Sequence, residues 1–175
     1  MKISSQEEYG LRCLLRLAGA EEGHSLTIPE IAASEGLSSP YVAKLLAVLR
    51  HSGLIESVRG RAGGYRLARP PADITLGTVM MALGEPLYDD PGYCQRHAGT
   101  ETDGNCVHHG GCTLRALWVT LEQWMRKSLD RITLADLLQN EGRVVELVRS
   151  RLAEAALPSP INLIALTPTL PTLKN

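Results

Sequence analysis

A mainly α-helical fold with a small β-wing is expected for this chain: a winged helix-turn-helix domain followed by a long dimerisation helix. Three observations predict it. Apolar residues recur at helical spacing through most of the 175 residues. Two of these patterns, in "TIPEIAASEGLSSPYVAKLLAVLRH", are separated only by a glycine-bearing turn. Directly after them, "LIESVRGRAGGYRLARP" shows two short runs around a Gly-Gly pair, with a base at nearly every second position.

The first helix is predicted to start at a capping box of Ser5 and Glu8, hydroxyl to backbone N–H and carboxylate back to the cap. Leu11, Leu14, Leu15 and Ala18 form its apolar face, and the glycines at 19 and 23 end it. Cys13 lies beside that face and reads as a buried small hydrophobe. Thr27 then caps a short helix with Pro29 in its first turn and Ile31 and Ala32 facing inward, and Gly36 stops it. Leu37 plugs the space between two helices. A serine cap before Pro40 opens the second, which carries Val42, Leu45, Leu46 and Leu49. In a helix-turn-helix the start of the second helix enters the major groove, which would bring Ser38, Ser39, Tyr41 and Lys44 to base edges and phosphates. In the wing, Gly63 and Gly64 are expected to supply positive backbone angles, with Arg59, Arg61 and Arg66 reaching the DNA backbone or minor groove.

"DITLGTVMMALGEP" predicts a further helix whose Ile74, Leu76, Val79, Met80 and Leu83 face the core. In "TLRALWVTLEQWMRKSLDRI", Leu114, Trp118, Leu121, Met125 and Ile132 make a stripe suited to a partner helix. A helix-turn-helix protein reads a two-fold operator as a dimer, so a homodimer is expected. More helices follow, and from Leu157 four prolines and few charges suggest a loosely held tail. The expected organisation is a DNA-binding domain at 1–72, a connecting helix and loop at 73–92, a cysteine-rich loop at 93–112, dimerisation and C-terminal helices at 113–156, and the tail at 157–175.

A net charge of -1 argues against a generic nucleic-acid binder, but the charge is unevenly spread. Residues 36–70 hold six bases against one acid, whereas residues 71–112 hold six acids against one base. A basic segment is what phosphate binding needs, because neutralised phosphates release counterions. A hydrophobic content of 44% excludes a disordered chain. No run approaches the roughly 18 apolar residues of a membrane span, and the first residues have no apolar core of signal-peptide length, so a cytoplasmic protein is expected. No acid-base pair or nucleophile constellation points to an enzyme.

Residues 93–112, "YCQRHAGTETDGNCVHHGGC", contain three of the four cysteines, three of the five histidines and four glycines. Cys94, Cys106 and Cys112 stand as C-x11-C-x5-C, unlike the short gaps of a zinc finger. Wide gaps let a glycine-bearing loop wrap a group larger than one ion. Thiolates suit both iron-sulfur clusters and zinc, and three of them leave a position to be filled from elsewhere. In a reducing compartment such a cluster of thiols favours metal or redox chemistry over structural disulfides.

Together, the N-terminal helix, "LSSPYVAKLLAVLRHSGLIESVRGRAGGYRLARP", "ITLGTVMMALGEP", the cysteine loop, "LWVTLEQW" and "LDRITLADLL" resemble the family of the iron-sulfur cluster assembly regulator (IscR-like) and the nitric-oxide-sensitive repressor (NsrR-like). The wing "GRAGGYRLARP" and the cysteine loop before a long helix are the most specific parts. The resemblance implies a dimeric winged-helix transcription factor that binds a two-fold double-stranded operator and is controlled by an iron-sulfur cluster. It implies Cys94, Cys106 and Cys112 as ligands. The chain departs from the family's C-x5-C-x5-C spacing by six extra residues in the first gap, and Arg115 stands where some members have a histidine ligand. Other members complete the cluster with an acidic residue from the first helix of the partner subunit. The aligned position is Glu8, with Glu7, His97, His108 and His109 as reserves. A 2Fe-2S cluster is expected ahead of 4Fe-4S because the altered gap makes three equivalent cysteines less natural. A zinc-binding or thiol-oxidising repressor using the same loop is the alternative.

Overall fold

The computed structural model describes residues 3–21, 24–60, 63–85, 92–97, 108 and 111–153. The first helix, α1 (Ser5–Ala18), starts from Ser4 rather than Ser5. Ser4 Oγ accepts from the Glu7 N–H at 3.2 Å, and the Glu7 carboxylate accepts from the Ser4 N–H at 2.7 Å. Ser4/Glu7 and Ser5/Glu8 fit the same pattern. Starting at Ser4 gains one more helical bond, from the Glu8 N–H to the Ser4 carbonyl at 3.0 Å, so the box expected at Ser5 and Glu8 is displaced by one residue. Gly10, Cys13, Leu14 and Leu17 form the buried face.

The helices α2 (Ile28–Glu35) and α3 (Ser39–His51) follow as expected. Thr27 and Glu30 make the reciprocal cap of α2, and Gly36 ends it at φ +66, a left-handed conformation that costs glycine nothing. Leu37 is half-buried against the core, and Val42, Leu45, Leu46 and Leu49 are fully buried. Each such side chain contributes about 1.5–3 kcal/mol by leaving water.

Strands β1 (Ile55–Val58) and β2 (Gly64–Leu67) pair antiparallel, with Glu56 opposite Arg66. Leu26 bridges to Tyr65 through two backbone bonds of 2.9 and 2.8 Å, tying the segment before α2 to the wing. Among the described residues of the hairpin the positive angle belongs to Gly60 (φ +107), not to Gly63 or Gly64. Those two glycines are needed for space instead. A Cβ at Gly63 would lie 2.8 Å from the Val58 carbonyl oxygen, and one at Gly64 2.6 Å from that of Leu26.

A 3-10 turn (Pro71–Asp73) leads to α4 (Leu76–Leu83), capped by Thr75. Ile74, Val79 and Leu83 are buried as expected, while Leu76 and Met80 are half-buried. The short helix α5 (Gly92–Arg96) replaces the start of the expected loop, since nothing before Gly99 forces a turn in "GYCQR". The long helix α6 (Thr113–Leu129) ends before Ile132, which therefore leaves the predicted stripe. Ile132 instead sits in a bridge between residues 74–76 and 132–134, where the Leu76 N–H donates to the Ile132 carbonyl at 2.7 Å and the Leu134 N–H to the Ile74 carbonyl at 2.9 Å. Two further helices, α7 (Leu134–Leu137) and α8 (Glu141–Ala153), complete the described chain. The expected tail at 157–175 lies outside the described residues.

One apolar core joins α1, α2, α3, α4, the wing and Leu134 of α7. Helix α6 contributes no apolar side chain to it and meets the helix-turn-helix domain through α4.

Candidate nucleic-acid interface and cysteine site

Helix α3 offers its N-terminus and one side to solvent because its other side is sealed into the core. Ser38 and Ser39 are exposed, and Ser38, at the cap position, makes no side-chain bond to the helix it precedes. The free N–H groups of a helix start favour phosphate oxygens. Lys44 is exposed and makes no ion pair among the described residues. The outer side continues to Ala47 and His51, with Arg50 beside it. The helix-turn-helix pattern in the sequence points only to the first two turns of α3, although a step of seven from Lys44 leads to His51. Tyr41 stands apart from the expected set. It is half-buried and meets the Tyr9 ring edge-on, centroids 6.0 Å apart, so much of it serves the packing of α1 on α3.

In the wing, Arg59 is exposed and makes no ion pair among the described residues, and Arg69 is likewise exposed. Arg66 donates from Nε to Glu56 at 2.6 Å, the pairing dictated by strand register. Arg61 lies outside the described residues. The structure thus places Ser38, Ser39, Lys44 and Arg59 in solvent on the helix-turn-helix and wing, with Arg66 already sharing its charge.

A shared carboxylate links α2 to α1. Glu35, its side chain only 7% exposed, accepts from Arg12 Nε at 2.8 Å and from Arg16 Nε at 2.9 Å. Arg12 also lies 5.5 Å from the centre of the Tyr9 ring. Nearby Cys13 is fully buried, and burial, aided by the Glu35 charge, pushes its thiol up to about 11. A neutral buried thiol is a packing group, as expected from its position on α1.

Of the three candidate cysteine ligands, Cys112 occupies the cap position of α6, half-buried, with its Sγ accepting from the Arg115 N–H at 3.4 Å. Cys94 belongs to α5, but its side chain, like Cys106, lies outside the described residues. Among the described residues no three metal-binding side chains converge. Glu8 is exposed on the first turn of α1, outside the cap and without an ion-pair partner among the described residues, whereas Glu7 is committed to Ser4. His97 stacks on Tyr93 at 4.3 Å and its Nδ1 is 2.8 Å from the Tyr93 carbonyl. His108 is exposed and His109 lies outside the described residues.

Residues 3–140 match the model of the Rrf2 family, described as iron-dependent transcriptional regulators. The chain belongs to the Rrf2 family. Among its relatives is the HTH-type transcriptional regulator NsrR of Geobacillus kaustophilus, 38% identical over 152 residues that span 86% of this chain and 99% of that protein. The HTH-type transcriptional regulator IscR of Escherichia coli is 31% identical over 81% of this chain and 82% of its own length. Among solved structures, IscR of T. potens has a TM-score of 0.60 at 33% identity, covering 79% of this chain and 86% of that one. CymR, the global cysteine regulator of B. subtilis, reaches 0.59 at 29% identity, covering 79% and 96%. This Rrf2 protein is a DNA-binding transcription regulator with a winged helix-turn-helix, and its relatives are regulators, not enzymes. Among the described residues no helix is long and apolar enough to cross a membrane.

Proposed function

We propose that the protein is a homodimeric regulator whose binding to a two-fold operator is controlled by an iron-sulfur cluster held by Cys94, Cys106 and Cys112, with Glu8 of the partner subunit as fourth ligand. One observation carries this reading: the helix that starts at Cys112 also bears an uncovered apolar seam and touches the element that supports the reading head. Along α6, Leu114 (57% exposed), Leu117 (47%), Leu121 (38%) and Trp124 (41%) follow one another at steps of three, four and three, the spacing of helices that pair. Trp118 is half-buried beside this seam, and Met125 and Leu129 are half-buried toward α4. Leaving four large apolar side chains in water costs several kcal/mol, and pairing with a second copy removes that cost.

The donor set supports the cofactor. Cys112 presents sulfur at a helix start, and the displaced capping box leaves Glu8 uncommitted. When bound, the group supplies a centre that oxidants and nitric oxide attack; a carboxylate ligand, weaker than a thiolate, eases that response. The 2Fe-2S form fits a site with one long gap between cysteines. The chain's own residues provide transmission: Cys112 starts α6, α6 meets α4, and α4 packs on α1 and α3. A change at Cys112 acts on DNA by favouring one of two settings of α6 against the head.

On the operator, the start of α3, with Ser38, Ser39, Tyr41 and Lys44, reads the major groove, and Arg59, Arg61 and Arg66 hold the flanking backbone or minor groove. The test is purification without oxygen, followed by iron, zinc and sulfide analysis and visible absorption. A coloured protein containing iron and sulfide, and a pale Cys112→Ser variant, are expected. Colourless protein holding zinc, or no metal at all, overturns the cluster.

A further inference from the structure

The cleft between α4 and α6, about 120 Å³, is lined by three of the chain's four methionines, Met80, Met81 and Met125, together with Arg126 and Leu129. Met81 is 61% exposed, whereas Met80 and Met125 are half-buried. Arg126 donates from Nη1 to the Met81 Sδ at 2.7 Å and from Nη2 to Glu122 at 2.9 Å. Three thioethers suggest a soft metal ion, but a guanidinium against the sulfur repels a second cation. The same guanidinium suits an added acceptor oxygen.

We propose that Met81 is a peroxide-oxidisable site whose sulfoxide is held by Arg126, fastening α4 to α6. The Sδ lone pair attacks one oxygen of hydrogen peroxide. The S–O bond forms as the O–O bond breaks, sulfur loses two electrons, and the second oxygen leaves with both hydrogens as water. The thioether is a weak acceptor, whereas the sulfoxide oxygen takes a charge-assisted bond from the guanidinium already facing it.

The position gives the modification a target. Leu83, two residues beyond Met81, packs on Gly10 of α1, and its carbonyl accepts from Gln6 Nε2 at 2.6 Å. Tightening the junction of α4 with α6 therefore acts on the joint between reading head and long helix. Met81 does not belong to the seam of Leu114, Leu117, Leu121 and Trp124; the Arg126 that it meets lies about 160° around α6 from the middle of that seam, at 100° per residue. The inference goes beyond the cluster reading and does not depend on it.

The test treats the full-length protein with hydrogen peroxide and then dithiothreitol, which restores oxidised thiols but leaves methionine sulfoxide. Peptide mass spectrometry should show Met81 gaining one oxygen about tenfold faster than Met80 or Met125, following exposure. Amide exchange across residues 76–83 and 113–129 should slow, stay slow after dithiothreitol, and recover on treatment with methionine sulfoxide reductases A and B. Met81→Leu should abolish the slowing, and Arg126→Gln should abolish it while Met81 still oxidises. If Met81→Leu does not fold, Arg126→Gln decides the case. Oxidation of Met81 no faster than of Met125, unchanged exchange, or equal slowing in Arg126→Gln overturns the proposal.

Discussion

Leu83 at the end of α4 lies so close over Gly10 of α1 that a Cβ at position 10 would stand 2.5 Å from its Cδ2. Leu83 is buried, so it has little room to turn away. Gly10→Ala gains about 1 kcal/mol of helix propensity but incurs an overpacking cost of about 1–3 kcal/mol. Net destabilisation is expected, larger for Gly10→Val, and urea unfolding measures it. A more stable Gly10→Val protein would mean that α4 does not rest on α1.

Glu35 serves two guanidiniums from a buried position, fastening α2 to α1. Glu35→Gln keeps the shape and removes the charge. It should lower unfolding stability by about 1–2 kcal/mol, a discounted figure because both arginines are half in water. Arg12→Ala made together with Glu35→Gln should cost less than the two effects added, as expected of groups that touch. Full additivity in the double-mutant cycle would contradict the shared carboxylate.

Cys13 is pushed up to about 11 by burial, so the folded protein holds this proton more tightly than the unfolded chain does. Its contribution to stability is complete below about pH 9, the ordinary thiol value, and is lost as the pH rises toward about 11. Cys13→Ala should flatten the alkaline limb of the stability profile between these values. Folded protein stripped of its cluster should also, at pH 8, leave Cys13 unreacted with iodoacetamide while Cys112 is modified. Rapid labelling of Cys13 would show that the α1 core opens.

The reading head was legible because its signals are local. Thr27 and Glu30 cap within one turn, Gly36 breaks the helix where it stands, and Leu45, Leu46 and Leu49 announce their face by spacing alone. What the sequence hid depends on distant partners or on a choice between equals. Ser4 and Ser5 offer identical caps, and only the finished helix distinguishes them. The pairing of Arg66 with Glu56 needs the hairpin register, and the return of Ile132 to residue 76 needs two segments far apart in the chain. The apolar stripe of α6 was visible, but its division into a half-buried edge with Trp118 and Met125 and an open edge with Leu117 and Trp124 required α4 to be in place.

The open edge makes oligomeric state testable. Leu117→Asp and Leu121→Asp place charge in the middle of the seam and should yield monomers by sedimentation equilibrium, with the helix content of the head retained. A dimer that survives both changes would assign pairing to another surface.

On DNA selected from a random pool, Lys44→Ala and Arg59→Ala should each weaken binding and lower the salt dependence by about one counterion for each phosphate no longer neutralised. Arg66→Ala should weaken it less, since Glu56 already takes part of that charge. Equal losses for Arg59→Ala and Arg66→Ala would show that the Glu56 pair opens freely on DNA.

The most direct measurement is the operator affinity of oxygen-protected protein before and after nitric oxide, made in parallel on the natural chain and on Cys112→Ser. A change of about tenfold or more in the natural chain, within the usual range of coupling between sites, together with an unresponsive Cys112→Ser, is the predicted result. Equal responses from the two proteins, or none from either, would contradict control of DNA binding through the cysteine site.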